Sequence, residues 1–396
     1  MSTKSPVPAN PDFSLVLGGP LFQLFRRAHL AGDGLEMLWR RVIVLMGIAW
    51  IPLFLLSLLW GQAFGDAVRI PFLHDLEAHV RFLVALPLLI AAELVVHRRL
   101  MPAVRQFVER RIVSDADLPK FQQAVESTQR LRNSVWIEIG LIALVYTVGI
   151  QVWRSEVALD SASWYAVPEA GGIRLTPAGW WFVFVSVPIF QFVLLRWYFR
   201  FLLWFLFLFR VSRLDLHLIP THADRTGGLG FLGTSTTAFA PVLIAQGAML
   251  AGIIASQIFH AGHALPEFKV QIVGFLAFFV IITLIPITVF APALAEAKRT
   301  GLAKLGRLAS RYSGGFEGKW FRADAPGERE LLGSSDIQSL SDLASAFSVV
   351  QEMRFVPFGW RDVTRLAIIT MTPFLPLLLT VFSLEDFANY VLKAIF

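Results

Sequence analysis

The sequence predicts an all-α polytopic integral membrane protein of about seven transmembrane helices. Its N-terminus is expected to be cytoplasmic, its C-terminus external, and amphipathic helices to lie on the cytoplasmic side. Three observations predict this. Only 16% of the 396 residues are charged and 56% are hydrophobic, where a soluble chain carries about a quarter charged residues. With 35 Phe and 12 Trp, such a chain would expose large apolar patches in water. Apolar runs long enough to cross the hydrocarbon recur along the chain. The basic residues are also unevenly shared: segments 1–41, 97–134, 210–237 and 295–363 hold 26 of the 35 Lys and Arg, and segments 61–81, 154–178, 260–269 and 382–396 hold 6. That is the bias expected if the first set is cytoplasmic.

The N-terminal region 1–41 reads as a disordered start with Pro6, Pro8, Pro11 and Pro20, followed by an interfacial helix over 21–31. Arg40 and Arg41 mark the inner edge of the first span. Residues 42–96 carry the first two spans, and Pro52 sits inside the first, tolerable if a neighbour satisfies the freed carbonyl. Residues 97–134 read as a cytoplasmic helical hairpin: Val104, Phe107, Val108 and Ile112 share one face, and Asp117 with Pro119 opens the second arm. Spans three and four occupy 135–209, around an external loop 154–178 in which Ile173–Thr176 is a candidate strand. The fourth runs from Trp180 to Phe209, about 45 Å of helix, more than the hydrocarbon needs.

Residues 210–237 form a cytoplasmic Gly-rich loop, and 238–294 carry spans five and six, the latter with Pro286 and Pro292. Residues 295–363 are a second cytoplasmic helical region, interrupted by a Gly- and charge-rich loop over 313–333. The seventh span, near Leu366–Val381, is interrupted by Pro373 and Pro376. Within 364–396 it leads to an external amphipathic tail capped at Ser383, with Glu385 and Asp386 in the first turn. An odd span count leaves no convincing inverted repeat.

Two groups of residues are candidates for function. Glu93, Glu138, Arg196 and Arg200 fall at similar depth near the inner ends of three successive spans. Ionisable groups in hydrocarbon are costly and mark polar vestibules or ion-pair layers, so Glu93 or Glu138 is expected to pair with Arg196. The second group is the loop: Asp215, His217, His222, Asp224, Arg225, Gly227, Gly228 and Gly230. Its glycine N–H groups with Arg225 suit an anion, its acids and histidines offer metal ligands, and glycine also serves a tight re-entry turn.

No metal signature, nucleotide-binding motif or catalytic triad is present, and no cofactor is read from the sequence. With no cysteine, disulfides and thiolate chemistry are excluded. The formal charge of +6 borders membrane segments and so points to orientation, not to nucleic acid. Candidate partners are membrane lipids, a second copy of the chain, and a cytoplasmic protein docking through 97–134 or 295–363. The expected location is the inner membrane. Three function classes follow: a transporter or channel for an ion or small solute first, then a membrane-embedded enzyme acting on a lipid or polyprenyl phosphate at headgroup level, then a sensor or assembly scaffold.

Overall fold

The computed structural model describes residues 13–29, 37–65, 68–149, 151, 163–169, 172–321 and 335–380. Five helices stand out as unbroken, apolar and long enough to cross a membrane: α2 (Leu38–Leu59), α3 (Leu76–Glu109), α6 (Pro177–Val211), α7 (Phe231–Ala261) and α8 (Leu265–Thr288). A sixth is α11 (Trp360–Thr380), and a bent pair, Asp115–Arg132 with Val135–Gly149, makes up to seven. The pair consists of α4 (Leu118–Arg132), led in by a short 3-10 turn, and α5 (Val135–Gly149), at 46° to each other. The remaining elements are α1 (Pro20–Arg27), α9 (Ala291–Trp320), α10 (Ser335–Gln351) and an antiparallel hairpin of β1 (Ala166–Glu169) and β2 (Gly172–Leu175). The architecture is that of a multi-pass helical membrane protein.

Prolines shape the spans, and neighbours satisfy what they release. Pro52 deprives the Ile48 carbonyl of its helical partner, and the Trp181 indole donates to that carbonyl at 3.0 Å. One residue on, the Ser186 hydroxyl donates to Ala49 O at 2.7 Å, which binds α2 to α6. Widened π turns at Val80–Ala85 and Phe182–Ser186 lie just before Pro87 and Pro188. Each turn absorbs the carbonyl that its proline leaves without an N–H. In α11 the last nine residues, Thr372–Thr380, tighten to a 3-10 helix where Pro373 and Pro376 fall.

On the face that holds the β hairpin, Trp164 is fully buried and its indole donates to Asp75 Oδ2 at 2.8 Å. Phe72 meets the Trp164 ring edge-on at 4.9 Å between centroids. Thr176 caps α6 by accepting from Gly179 N at 3.0 Å. Gly179 has no alternative there, because a Cβ would run into the Tyr165 carbonyl.

Several boundaries differ from the sequence expectations. The start expected to be disordered is packed from Phe13 onward: Phe13, Leu15 and Val16 are buried, with the Phe13 ring tilted against Phe207 at 4.6 Å between centroids. The fifth span begins at Phe231, not 238, because a 3-10 turn at Thr236–Phe239 continues the helix without breaking it. The sixth ends at Thr288; Pro292 opens α9 as a first-turn proline and does not lie inside a span. The loop expected over 313–333 is helical as far as Trp320. Gly314 and Gly315 cost that helix about 1 kcal/mol each, offset by packing on α10, where Tyr312 donates to Asp336 O at 3.0 Å. The first half of the external loop and the tail beyond Thr380, with Ser383, Glu385 and Asp386, lie outside the described residues.

Candidate functional site

Charged side chains of α2, α3, α5 and α6 meet in one buried layer. Glu93 sits at its centre and accepts from Arg41 Nη1 and Arg200 Nη2, one on each carboxylate oxygen, both at 2.6 Å. Arg196 faces Glu138 at 3.6 Å, whose other oxygen accepts from Leu21 N at 2.8 Å and so caps α1. Thus Glu138 is the acid beside Arg196, and the expected alternative of Glu93 with Arg196 is replaced by Glu93 with Arg41 and Arg200. The residue that sequence reasoning missed is Arg41. It reads as a headgroup stop beside Arg40, yet only 1% of it is exposed. Successive residues on a helix point about 100° apart, so one of two adjacent arginines at a span's edge turns inward.

The N-terminal segment roofs this layer. Ser14 accepts from Arg132 through its carbonyl, and its hydroxyl pairs with His97 Nδ1 at 3.0 Å. Phe25 on α1 lies 5.9 Å from the Arg41 guanidinium, a cation–π contact. What is left beneath α1 is a cavity of about 20 Å³, lined by Leu21, Phe25, Arg41 and Glu93 among others.

The Gly-rich loop between α6 and α7 has a different construction. Its cradle of N–H groups is filled by the chain's own carboxylate: Asp224 accepts from Thr226 N at 2.8 Å, Gly228 N at 3.1 Å and Gly230 N at 2.8 Å. Burial alone would raise the Asp224 carboxyl, but these N–H groups outweigh it and hold the group below the usual aspartate range. The turn needs left-handed backbone at Arg225, Gly227 and Gly228. Arg225 offsets this by clasping the turn that follows α10: its side chain meets Glu352 at 2.7 Å and its carbonyl accepts from Arg354 N at 2.8 Å. His222 lies 2.9 Å from Asp224. Asp215 and His217 point the loop elsewhere, with Asp215 N bonded to Asp117 and His217 N to Ile112 O. Among the described residues no group of three or more His, Asp or Glu stands close enough to hold a metal.

Two concavities adjoin on the surface. The larger, about 670 Å³, is an apolar groove between α2 and α3, lined by Leu38, Val42, Leu83, Pro87, Leu88 and Ala91 among others. Its α3 residues form one helical stripe that ends at Arg98. Arg98 also lines the second, of about 360 Å³, with Arg99, Gln106, Thr234, Ser235 and Thr237. Arg99 is held in place by donating to Thr237 Oγ1 at 2.8 Å. Among the described residues Arg98 has no ion pair, and its side chain is exposed. The hydroxyls of Thr234 and Ser235 donate to the carbonyls of Phe231 and Leu232 in their own helix, and no acid or histidine lines the pocket to act as a base.

Comparison with protein-family models, curated proteins and solved structures finds no match.

Proposed function

We propose that the protein binds an anionic lipid of the cytoplasmic leaflet, its hydrocarbon chain in the α2–α3 groove and its phosphate at Arg98 and Arg99. The observation that carries this is the shared residue: an apolar groove ends at an exposed arginine, without an ion pair among the described residues, that also lines a polar pocket. A lipid has that same division between chain and charged head. A basic residue near the surface contributes about 1 kcal/mol to holding an anionic lipid. The reading keeps the lipid phosphate of the enzyme expectation and drops the chemistry, because the pocket's Thr234 and Ser235 hydroxyls are committed and no general base lines it. A transport reading draws less support, since Leu53, Phe82, Leu86, Leu89 and Trp197 fill the space between α2, α3 and α6.

The experiment is lipid retention on purification, read by native mass spectrometry. Arg98→Gln is expected to weaken retention of an anionic lipid about fivefold, the equivalent of about 1 kcal/mol. Ala91→Trp, which fills the groove, should release it while leaving the arginines intact. Equal retention by wild type and both variants would overturn the proposal. Reconstitution with phosphatidylglycerol or with a polyprenyl phosphate separates the two sources of the same headgroup chemistry.

The assignment of Arg98 to the cytoplasmic leaflet rests on seven crossings with the N-terminus inside. Supporting this, Arg132 bonds to Ser14, which precedes the first span, and Trp164 bonds to Asp75, which precedes the second. These contacts lie at opposite ends of α2, so the chain changes face between residues 132 and 164, where α5 lies. With no native cysteine, single cysteines report sidedness cleanly. A cysteine replacing Ala264 is expected to react with an impermeant reagent outside intact cells, and cysteines replacing Ser310 or Ser341 only after lysis. Outside labelling at Ser341 would reverse the orientation.

A further inference from the structure

We infer that the cavity beneath α1 is a binding site for a single halide ion, held between Arg41 and Arg196. The charge balance of the layer requires compensation. Arg41, Arg196 and Arg200 bring three guanidinium groups against two carboxylates, Glu93 and Glu138. A buried, unpaired cation in the hydrocarbon region is strongly unfavourable. The site also has donors without acceptors. Arg41 spends Nη1 on Glu93, but its Nε and Nη2 are buried and have no hydrogen-bond partner. Buried donors of this kind are rare, and a bound water or ion is one way to satisfy them.

The size and lining select the ligand. A volume of about 20 Å³ admits one water-sized particle, which needs roughly 10–15 Å³ by the same measure. Phosphate, sulfate and carboxylates are too large. Of the lining groups, Leu21, Phe25, Leu45, Ile90 and Val193 offer no side-chain hydrogen bond, so the polar contacts come from the arginines. Glu93 lines the cavity too, but both its oxygens are already engaged by Arg41 and Arg200. Water would satisfy the geometry of the Arg41 donors without cancelling the excess charge; a halide does both. The ion sits under Phe25 and beside the α1 start that Glu138 caps, so its occupancy and the docking of the N-terminal segment are coupled.

Two measurements test the inference. In detergent at constant ionic strength, exchanging gluconate for chloride is expected to raise the melting temperature of wild-type protein by a few degrees, and to saturate as a binding isotherm does. Sulfate, which does not fit, should give no such rise. Arg196→Gln removes one cation and one of the two arginines that flank the cavity, and the chloride-specific rise should vanish. Bromide-soaked crystals of the wild-type protein give an answer independent of how that variant folds. An anomalous peak among Arg41, Arg196 and Phe25 is the expected result. Density without anomalous signal, meaning water alone, or a melting temperature insensitive to the identity of the anion, would overturn the inference.

Discussion

Replacing Glu93 with leucine is expected to destabilise the protein by about 3–5 kcal/mol, more than any other single change in the membrane layer. Glu93 is the common acceptor for Arg41 and Arg200, each at 2.6 Å, and both arginines are almost wholly buried. Its removal strands two buried cations. Thermal unfolding, or the monodisperse fraction recovered in detergent, reads the loss. The pairing has a sharper signature in combination. Arg200→Gln in the Glu93→Gln background is expected to recover part of the stability that Glu93→Gln loses alone, because it removes one stranded charge. Additive losses would show that the two side chains do not depend on each other. Arg40→Gln is the contrast: Arg40 is exposed, and its replacement should stay within about 0.5 kcal/mol.

The second large effect is expected at Asp224→Ala, at about 3 kcal/mol. One carboxylate there satisfies three backbone N–H groups, and hydrogen bonds to a charged group contribute about 1.5–3 kcal/mol each, less than additively. Without it, the left-handed backbone at Arg225, Gly227 and Gly228 loses its main side-chain support, and the loop's clasp on the turn after α10 is weakened. Asp224→Asn should lose much of this too, since an amide offers one acceptor oxygen where the carboxylate uses two. Arg225→Gln, at a half-exposed ion pair with Glu352, should cost about 1 kcal/mol or less. The pH dependence follows from the sign of the shift. The folded carboxyl lies below its ordinary value, so the unfolded chain takes up the proton first as pH falls. The contribution is complete above the ordinary aspartate pKa and is lost as pH drops through the lower, folded value. Asp224→Ala should therefore flatten the acid side of the stability profile. An unchanged acid limb in that variant would contradict the role of Asp224 as the loop's internal anion.

The spans were legible because hydrocarbon imposes length and composition on each segment independently. The shared depth of Glu93, Glu138, Arg196 and Arg200 was legible for a related reason: position along a span converts directly to depth. Partner choice was not, because it depends on helix rotation and on which helices are neighbours. Arg41 illustrates this, being indistinguishable in sequence from the exposed Arg40 beside it. The loop glycines correctly signalled unusual backbone and N–H groups turned to one point. That the point is taken by Asp224 itself depends on side-chain geometry over a few residues. Gly314 and Gly315 misled in the other direction, since a helix paired along its length with α10 absorbs a cost that an isolated one would not. The groove at Arg98 had no linear signal at all, because a concavity between α2 and α3 exists only once they pack.

The lipid proposal is tested most directly by a density map of the protein in nanodiscs made with anionic phospholipid. The expected result is a continuous tube of density along Leu83, Pro87, Leu88 and Ala91, ending in a head at Arg98 and Arg99. A groove left empty, or filled by a helix from a second copy of the chain with Arg98 facing solvent, would contradict it.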